Sequence, residues 1–401
     1  MARSRGKTVG LGAGVLLLVA SACESDDKPE PIVLSRDVDA SVDAGPELPI
    51  ICILEGPDAD VDRDGYSEAQ GDCNDCTAHI GPGGIDLPGN GIDEDCDGED
   101  AQAFEACDTD LAMEGEDAFD GARAIGLCTF TEPDSGRWGV LDAAWVTADG
   151  SRWLGDKLQR GILPDFGAVS PRAGGRMLAL STGVARAPDQ PAYTTECDMF
   201  WPSLLDEHTP PAGFPKPSPA CPQVDSGAVF DPAAFEVRIR IPHNVNGISF
   251  DSNFHTYEYP QFICTPFNDY FVAILEPIPE NLEDGNIVFD QDGNTVSVNN
   301  TLLQVCKSGY HGGREFACPL GPGELAGTSF DGTSVCGAKD SNAATGWLTT
   351  TVPVIPGSVI TLRFAIWDSG DSDLDSLVLV DNFQWVGETV EVIETIPIRP
   401  E

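Results

Sequence analysis

Short apolar stretches, separated by Gly- and Pro-rich turns, follow one another from about residue 101 to the end of the chain. Phe235–Ile241 alternates apolar and charged side chains, as a half-buried strand does. Val359–Trp367 and Leu374–Trp385 are the longest apolar strands, and Thr389–Ile396 is predicted as a last edge strand. Ile287–Val298 is predicted as two strands around an Asp-Gly turn. The pattern predicts an all-β fold, a jelly-roll-like β-sandwich.

Helical periodicity is confined to two short segments. Ala101–Cys107 and Asp117–Leu127 are each long enough for two or three turns, and no long helix is predicted after them. Residues 202–222 contain seven prolines and are predicted as a loop rather than a strand.

Residues 58–100 follow a different pattern, with almost no large apolar side chains. They hold fourteen carboxylates and a single basic residue, Arg63. Such a stretch cannot be held together by a hydrophobic core, so cations and disulfides are the candidates. Asp60-x-Asp62-x-Asp64-Gly65 and Asp93-x-Asp95-x-Asp97-Gly98 repeat one motif at a spacing of thirty-three residues.

Alternating carboxylates followed by glycine suit Ca²⁺, which takes six to eight oxygen ligands. We predict two Ca²⁺ sites here. The ligands predicted for the first site are Asp60, Asp62, Asp64, Asp72, Asn74 and Asp75, and those for the second are Asn90, Asp93, Asp95 and Asp97. Neither is an EF-hand, because position 12 counted from Asp60 is Gly71 instead of a bidentate glutamate. The alternative is a solvated acidic linker that only disulfides constrain.

The thirteen cysteines indicate an oxidising compartment. Setting Cys23 aside leaves twelve, which suits six disulfides, and the sequence does not tell which cysteines pair. Zinc is a competing use of Cys73-x-x-Cys76, but no second such pair follows and carboxylates crowd this one.

The N-terminal segment predicts export. Three basic residues precede the apolar stretch Val9–Ala22, which is too short for a membrane span and suits a signal peptide. Ala20-Ser21-Ala22-Cys23 resembles the bacterial lipobox, which implies a lipid on Cys23 and an outer-membrane or cell-surface lipoprotein of a Gram-negative bacterium. The alternative is ordinary cleavage with Cys23 in a disulfide. We therefore divide the chain into a signal peptide (1–22), a flexible lipidated tether (23–57), an acidic module (58–100) and a β-domain (101–401).

Net charge narrows the choice of partners. The formal charge of −44 disfavours nucleic acid and anionic lipid surfaces, and it attracts divalent cations or basic partners. The membrane contact that we expect is therefore the N-terminal lipid, and a surface protein or a glycan is the other expected ligand.

A second acidic stretch, Asp368-x-x-Asp371-x-Asp373-x-Asp375, is either a metal site or a polar turn.

Two further features of the last strands leave alternatives open. Asp381-Asn382 lies inside a predicted strand, where a buried carboxylate needs partners, and we expect it to brace the second acidic stretch. Trp347, Trp367 and Trp385 are either core residues or a platform that stacks on sugars.

No catalytic motif is present in the sequence. It has no Gly-x-Ser-x-Gly, no His-Glu-x-x-His and no phosphate-binding loop, and its histidines (His79, His208, His243, His255 and His311) are scattered. We predict a non-enzymatic protein for adhesion or surface binding, in which the Ca²⁺-stabilised acidic module is a spacer between the tether and the β-domain. A carbohydrate-binding or carbohydrate-cleaving sandwich is the alternative, but a pair of carboxylates is no evidence for cleavage in a chain with 66 acidic residues.

Two resemblances add to this interpretation. Residues 107–385 resemble the choice-of-anchor L domain, an extracellular β-rich domain of bacterial surface proteins for which no activity is implied. The segments that carry the resemblance are ARAIGLC (122–128), GILPDFG (161–167), GRMLALSTGVAR (175–186), FNDYFVAIL (267–275), TGWLTTTVPVIPG (345–357) and ITLRFAIWDSGDSDLDSLVLVDNFQW (360–385).

GDCND (71–75), PGG (82–84) and GNGIDEDCDG (89–98) resemble the metal-binding motif named after the surface protein MopE. That resemblance implies copper bound through a modified tryptophan. Residues 58–100 contain no tryptophan, and copper prefers softer or nitrogen ligands, so we predict Ca²⁺ here.

Overall fold

The computed structural model describes residues 56–102, 106–153, 155–194, 208–224, 227–332 and 342–399. The predictions for the signal peptide, for Cys23 and for the tether as far as residue 55 lie outside these residues. Within them, fourteen strands and one α-helix are formed. The strands are β1 Gly139–Val146, β2 Arg160–Leu163, β3 Met177–Ser181, β4 Val229–Arg240, β5 Gly247–Thr256, β6 Tyr270–Glu276, β7 Val296–Ser297, β8 Gly309–His311, β9 Arg314–Phe316, β10 Ala343–Ala344, β11 Leu348–Pro353, β12 Val359–Ser369, β13 Ser376–Val386 and β14 Glu394–Pro397, and the helix is α1 Ala118–Ala124.

Two antiparallel sheets form the sandwich. The first has the strand order β1-β4-β12-β6-β7, and the second has the order β14-β11-β5-β13-β3-β2, with β10 also paired to β5. β8 and β9 form a separate small hairpin. The predicted all-β sandwich is confirmed, and the two long C-terminal strands are central, because β12 lies in the first sheet and β13 in the second.

The core lies between the two sheets, where alternating apolar side chains of the long strands face each other. Phe250 of β5 and Phe364 of β12 are both fully buried and meet edge to face, with ring centroids 4.9 Å apart. Phe235 of β4 belongs to the same cluster and packs against Trp145, while Gly121 of α1 leaves room for both rings. This contact seats the helix on the first sheet.

The three C-terminal tryptophans belong to the core. Trp367 is fully buried, stacks on Tyr270 at 5.3 Å and meets Phe214 edge to face. Trp347 and Trp385 are half-buried and pack against core clusters. The core interpretation is therefore confirmed for all three, and they form no exposed stacking platform.

The predicted short helix at Asp117–Leu127 is confirmed as α1, and Asp117 caps it by accepting a hydrogen bond from the N–H of Phe119. The helix predicted at 101–107 is absent from the described part of that range. There Ala101 donates its N–H to Asp86, and Cys107 is joined to Cys128. These long-range contacts hold the backbone away from helical geometry.

The predicted hairpin at Ile287–Val298 is wrong in extent. Its turn forms, but the two arms share one bridge, between Phe289 and Thr295, and only Val296–Ser297 is a strand. Side chains replace the ladder: Asp290 accepts hydrogen bonds from the N–H groups of Asp292, Asn294 and Thr301. Backbone donors that bond to a carboxylate are not available to a facing strand.

Four disulfides join described cysteines: Cys73–Cys96, Cys107–Cys128, Cys221–Cys264 and Cys306–Cys318. Cys76 is also disulfide-bonded, which excludes the zinc use of the Cys73/Cys76 pair. The two cysteines of each of these four pairs are 12 to 43 residues apart, so the disulfides crosslink local loops and leave the long strand pairings to the core.

Asp381 braces a different loop from the one predicted. Its carboxylate accepts hydrogen bonds from the N–H groups of Arg172 and Ala173, in the loop before β3, as well as from Asn382. The expectation that it braces residues 368–375 is wrong, because those residues precede β13, whereas Asp381 lies at its middle and bonds to the loop before β3.

The pKa of Asp381 makes stability depend on pH. Burial raises this pKa from 3.8 to about 7, against the hydrogen bonds that lower it. The unfolded chain thus releases this proton at lower pH than the folded protein, so stability falls as pH rises from about 4 to about 7. We expect Asp381→Asn to gain stability relative to wild type over this window, by at most about 4 kcal/mol at about 1.4 kcal/mol per pKa unit. Urea unfolding of both proteins at several pH values measures the difference, and a constant difference would contradict the assignment.

Candidate metal centre

The first acidic loop, Asp60–Gly65, is wrapped around its own carboxylates. Asp60 accepts a hydrogen bond from the N–H of Gly65, Asp62 accepts one from Asp64, and Asp64 accepts one from Tyr66, at 2.7–3.1 Å. Gly65 has a φ of 101°, which lets the chain turn sharply at this point. Each carboxylate thus accepts a backbone hydrogen bond with one oxygen, and its other oxygen is available to coordinate an ion.

The second loop, Asp93–Gly98, repeats this geometry thirty-three residues later. Asp93 accepts from the N–H of Gly98, Asp95 from Asp97, and Asp97 from Glu99, at 2.9–3.1 Å. Gly98 also has a φ of 101°. The fourth residue of each loop is left-handed as well, with φ 68° at Arg63 and 60° at Cys96. The repeat seen in the sequence is therefore a repeat of conformation.

The structure brings the predicted ligands into three groups, each compact enough to surround one ion: Asp60, Asp62 and Asp64; Asp62, Asp72 and Asp75; and Asp93, Asp95 and Asp97. The first two groups share Asp62, so five of the six residues predicted for the first site converge. One oxygen of Asp62 and one of Asp72 are buried without a hydrogen-bond partner. Hard oxygen donors that lack a partner suit a hard divalent cation.

The two predicted asparagine ligands are placed differently from the aspartates. Asn74 is exposed and lies between the two convergent residues Asp72 and Asp75. Asn90 donates to Glu94 and accepts from the N–H of Ile92, so its amide serves the loop itself. Both assignments as ligands stay predictions.

Repulsion among the carboxylates shows in their pKa values. Burial, together with the weaker effect of the charges of Asp62, Asp72 and Asp60, raises the pKa of Asp64 to about 6, against the hydrogen bond from the N–H of Tyr66. Burial and neighbouring carboxylates also raise the pKa values of Asp72 and Asp95. A bound cation would relieve this repulsion, because its positive charge offsets the negative charges of the carboxylates.

Three acidic residues of the module serve a purpose that the sequence analysis missed. Asp86 accepts hydrogen bonds from the N–H groups of Glu94 and Ala101, Glu94 accepts from Leu87, and Asp100 accepts from Gly89 and Gly91. They hold the backbone of the second loop. Nothing in their spacing distinguishes them from ligands, because all fourteen carboxylates stand in one acidic stretch.

The acidic module is docked on the sandwich. Ile85 inserts into the main core cluster, and its N–H and C=O bond to the side-chain amide of Asn244 at 2.9 and 2.8 Å. His243 donates its N–H to Gly83 and packs edge-on against Tyr66. Cys73–Cys96 joins the two loops to each other. Because of these contacts, a change in the conformation of the loops would also change the packing of the sandwich core.

His243, His255 and His311 pack against aromatic rings, and His79 is exposed. His255 is fully buried between Phe166 and Phe330, and burial lowers its pKa to about 3. His311 packs edge-on against Tyr259. The imidazole of His255 is therefore neutral and enclosed by rings, so a substrate cannot reach it. Its role is structural, in packing the core.

Comparison with known proteins gives one match. Residues 236–383 match the family model described as Choice-of-anchor L domain. No match is found among curated proteins or among solved structures. The matched part contains β5 to β12 entire, the C-terminal end of β4 and the greater part of β13, which include the central strands of both sheets. Among the described residues, no helix has the length and apolar character needed to cross a membrane. Over residues 236–383 the chain is thus similar to the choice-of-anchor L domain, which indicates a surface-associated, β-rich protein.

Proposed function

We propose that the protein is a non-catalytic lipoprotein of the cell envelope that displays its sandwich for binding at the cell surface. The family match supports surface association, and the acidic loops support a need for Ca²⁺, whose concentration is high outside cells. A lipid on Cys23 would supply the attachment, and the N-terminal lipobox-like segment supports it.

An exposed apolar groove is the observation that carries the binding function. It lies between the end of β6 and the end of β11 and has a volume of about 640 Å³. Ile278, Ile355 and Val392 line it with exposed fractions of 50%, 74% and 63%. Glu280 and Glu391 also line it. Apolar side chains that are this exposed, and grouped in one groove, are typical of interaction sites.

Charge complementarity selects the kind of partner. The groove combines apolar walls with carboxylates, on a chain with a formal charge of −44. A protein segment with apolar side chains flanked by lysine or arginine fits both features, because it buries the isoleucines and is attracted from a distance. We therefore propose such a segment of another surface protein as the ligand.

Binding to intact cells tests this function. Fluorescently labelled protein covering residues 24–401 is titrated onto cells of the bacterium that makes it, in millimolar Ca²⁺. We expect saturable binding, which Ile355→Glu weakens about tenfold or more, since a charge in the buried centre of an interface costs several kcal/mol. Tyr310→Glu is the matched control, because Tyr310 is 73% exposed and lies outside the groove. Binding that does not saturate, or equal loss in both variants, would refute the proposal.

Within this function the acidic module acts as a brace. Its contacts through Ile85 and Gly83 with Asn244 and His243 tie it to the turn between β4 and β5. Ca²⁺ in the loops would fix the geometry of the module and thereby support that turn. This role differs from a free spacer, which would not insert a side chain into the core.

A further inference from the structure

Four acidic side chains are buried in neighbouring segments around the end of β12. Asp231 belongs to β4, Asp269 precedes β6, Asp368 is near the end of β12, and Glu258 follows β5. They are 1%, 2%, 1% and 1% exposed, respectively. We call these four residues the buried acidic corner. Only Asp368 belongs to the second acidic stretch of the sequence, and the exposed Asp373 takes no part.

Strand register brings these residues together. In the first sheet, Asp368 pairs with Phe230 of β4, and Trp367 pairs with Tyr270 of β6. The register of β4 shifts at this point, and Asp231 takes a left-handed φ of 47°. Such a bulge re-aims a side chain that regular alternation would place elsewhere.

The carboxylates of the corner lack the donors that a buried charge requires. Asp269 accepts hydrogen bonds from the hydroxyl of Ser376 at 2.6 Å and, weakly, from the N–H of Ser369. Asp368 lies against Asp269 and Thr182, yet both of its oxygens are buried without a hydrogen bond of ordinary geometry. One oxygen of Asp231 and one of Glu258 are in the same state.

Neutral oxygens without partners adjoin the same residues. The amide oxygen of Asn268 and the hydroxyl of Ser369 are buried and unbonded, next in sequence to Asp269 and Asp368. Among ion pairs between described residues, none includes a member of the corner. Burying several unpaired carboxylates is too costly to leave uncompensated, so the corner must hold either protons or a cation.

We propose that the buried acidic corner binds a divalent cation of the Ca²⁺ type, with Asp368 and Asp269 as the central ligands. Four unbonded carboxylate oxygens are available, two from Asp368 and one each from Asp231 and Glu258, and hard oxygens of this kind suit Ca²⁺. Asp269 and Asp368 are within hydrogen-bonding reach of each other, and Asp231 and Glu258 are close enough to interact electrostatically with Asp269, so these two would move inward to coordinate the ion.

The ion would clamp the two sheets together. Asp231, Asp269 and Asp368 come from three neighbouring strands of the first sheet, and Glu258 follows β5 of the second. Without the ion, protons would have to neutralise the buried carboxylates instead. Protons cannot draw four side chains to one point, whereas a cation can.

Ca²⁺ stoichiometry in a loop-disabled background tests the proposal. The full mature protein carries Asp62→Asn and Asp95→Asn, one in each acidic loop, and is compared with and without Asp368→Asn. Bound Ca²⁺ is counted by elemental analysis after dialysis in millimolar Ca²⁺, and melting is followed in Ca²⁺ and in chelator. We expect Asp368→Asn to remove one Ca²⁺ per chain and to abolish the remaining rise in melting temperature with Ca²⁺. Asp373→Asn is the matched control, because it removes the same charge from the exposed part of the same stretch.

The variant should fold in chelator, since it removes a buried charge that has no partner. Glu258→Gln is the second variant, and it should weaken Ca²⁺ binding at least several-fold without changing the fold seen by circular dichroism. If Asp368→Asn and Asp373→Asn retain the same number of Ca²⁺ ions, the corner holds protons and the proposal fails. The outcome does not depend on the acidic loops. Failure of the loops to bind would appear separately, as equal Ca²⁺ content in wild type and the loop-disabled protein.

Discussion

Replacing Phe364 with alanine is expected to lower the free energy of unfolding by about 3–5 kcal/mol. Its ring is fully buried at the centre of β12 and meets Phe250 of the facing sheet at 4.9 Å. Truncation removes this contact between the sheets and leaves a cavity that the strands on both sides close only in part. Urea unfolding followed by tryptophan fluorescence measures the loss, with the Cys73–Cys96 and other disulfides kept intact.

Two controls separate packing from simple loss of an aromatic ring. Phe364→Leu retains most of the volume and should cost clearly less than the alanine variant. Tyr310→Ala removes a ring that is 73% exposed and should change stability by no more than about 0.5 kcal/mol. A Phe364→Ala protein as stable as Tyr310→Ala would mean that the two sheets do not pack through this pair.

Replacing Asp62 with asparagine is expected to remove most of the stabilisation that Ca²⁺ gives through the first acidic loop. Asp62 belongs to both three-carboxylate groups of that site, so its loss affects all five convergent ligands. A site with Ca²⁺ at about 100 times its dissociation constant stabilises the fold by about 2.7 kcal/mol, and extracellular sites have constants of about 10⁻⁴–10⁻³ M. The measurement is the difference in melting temperature between Ca²⁺ and chelator.

Asp58→Asn provides the matched control, because Asp58 is an exposed carboxylate of the same stretch outside the three groups. It should leave the Ca²⁺-dependent rise in melting temperature unchanged. If Asp62→Asn and Asp58→Asn behave alike, the first loop is a solvated acidic linker, the alternative that the sequence left open. In chelator, Asp62→Asn should be at least as stable as wild type, since it relieves repulsion on Asp64.

The sequence predicted the elements whose signal is local. Val359–Trp367 and Leu374–Trp385 form the long strands β12 and β13, and Asp117–Leu127 contains α1 with its cap. The acidic loops were also predictable, because each D-x-D-x-D-G motif supplies its own turn, its own hydrogen bonds and its own glycine. Where side chains compete with backbone pairing, as at Asp290, the local pattern misled.

The buried acidic corner could not be predicted. Asp231, Glu258 and Asp269 are separated from Asp368 by about a hundred residues or more, and each is an ordinary polar position in its own segment. The second acidic stretch drew attention to Asp368 but assigned it neighbours in sequence, of which the exposed Asp373 lies apart from the corner. Asp381 was likewise assigned to the wrong loop.

The sequence by itself determined the alternation that makes strands, the acidic composition and the two D-x-D-x-D-G motifs, because these depend on residues within a few positions of each other. The tertiary structure alone decided which strands are neighbours, that Ile85 fastens the acidic module to the sandwich, and that four carboxylates share one buried corner. Register and bulges between distant strands set those contacts, and they follow from packing the whole core at once rather than from any one segment.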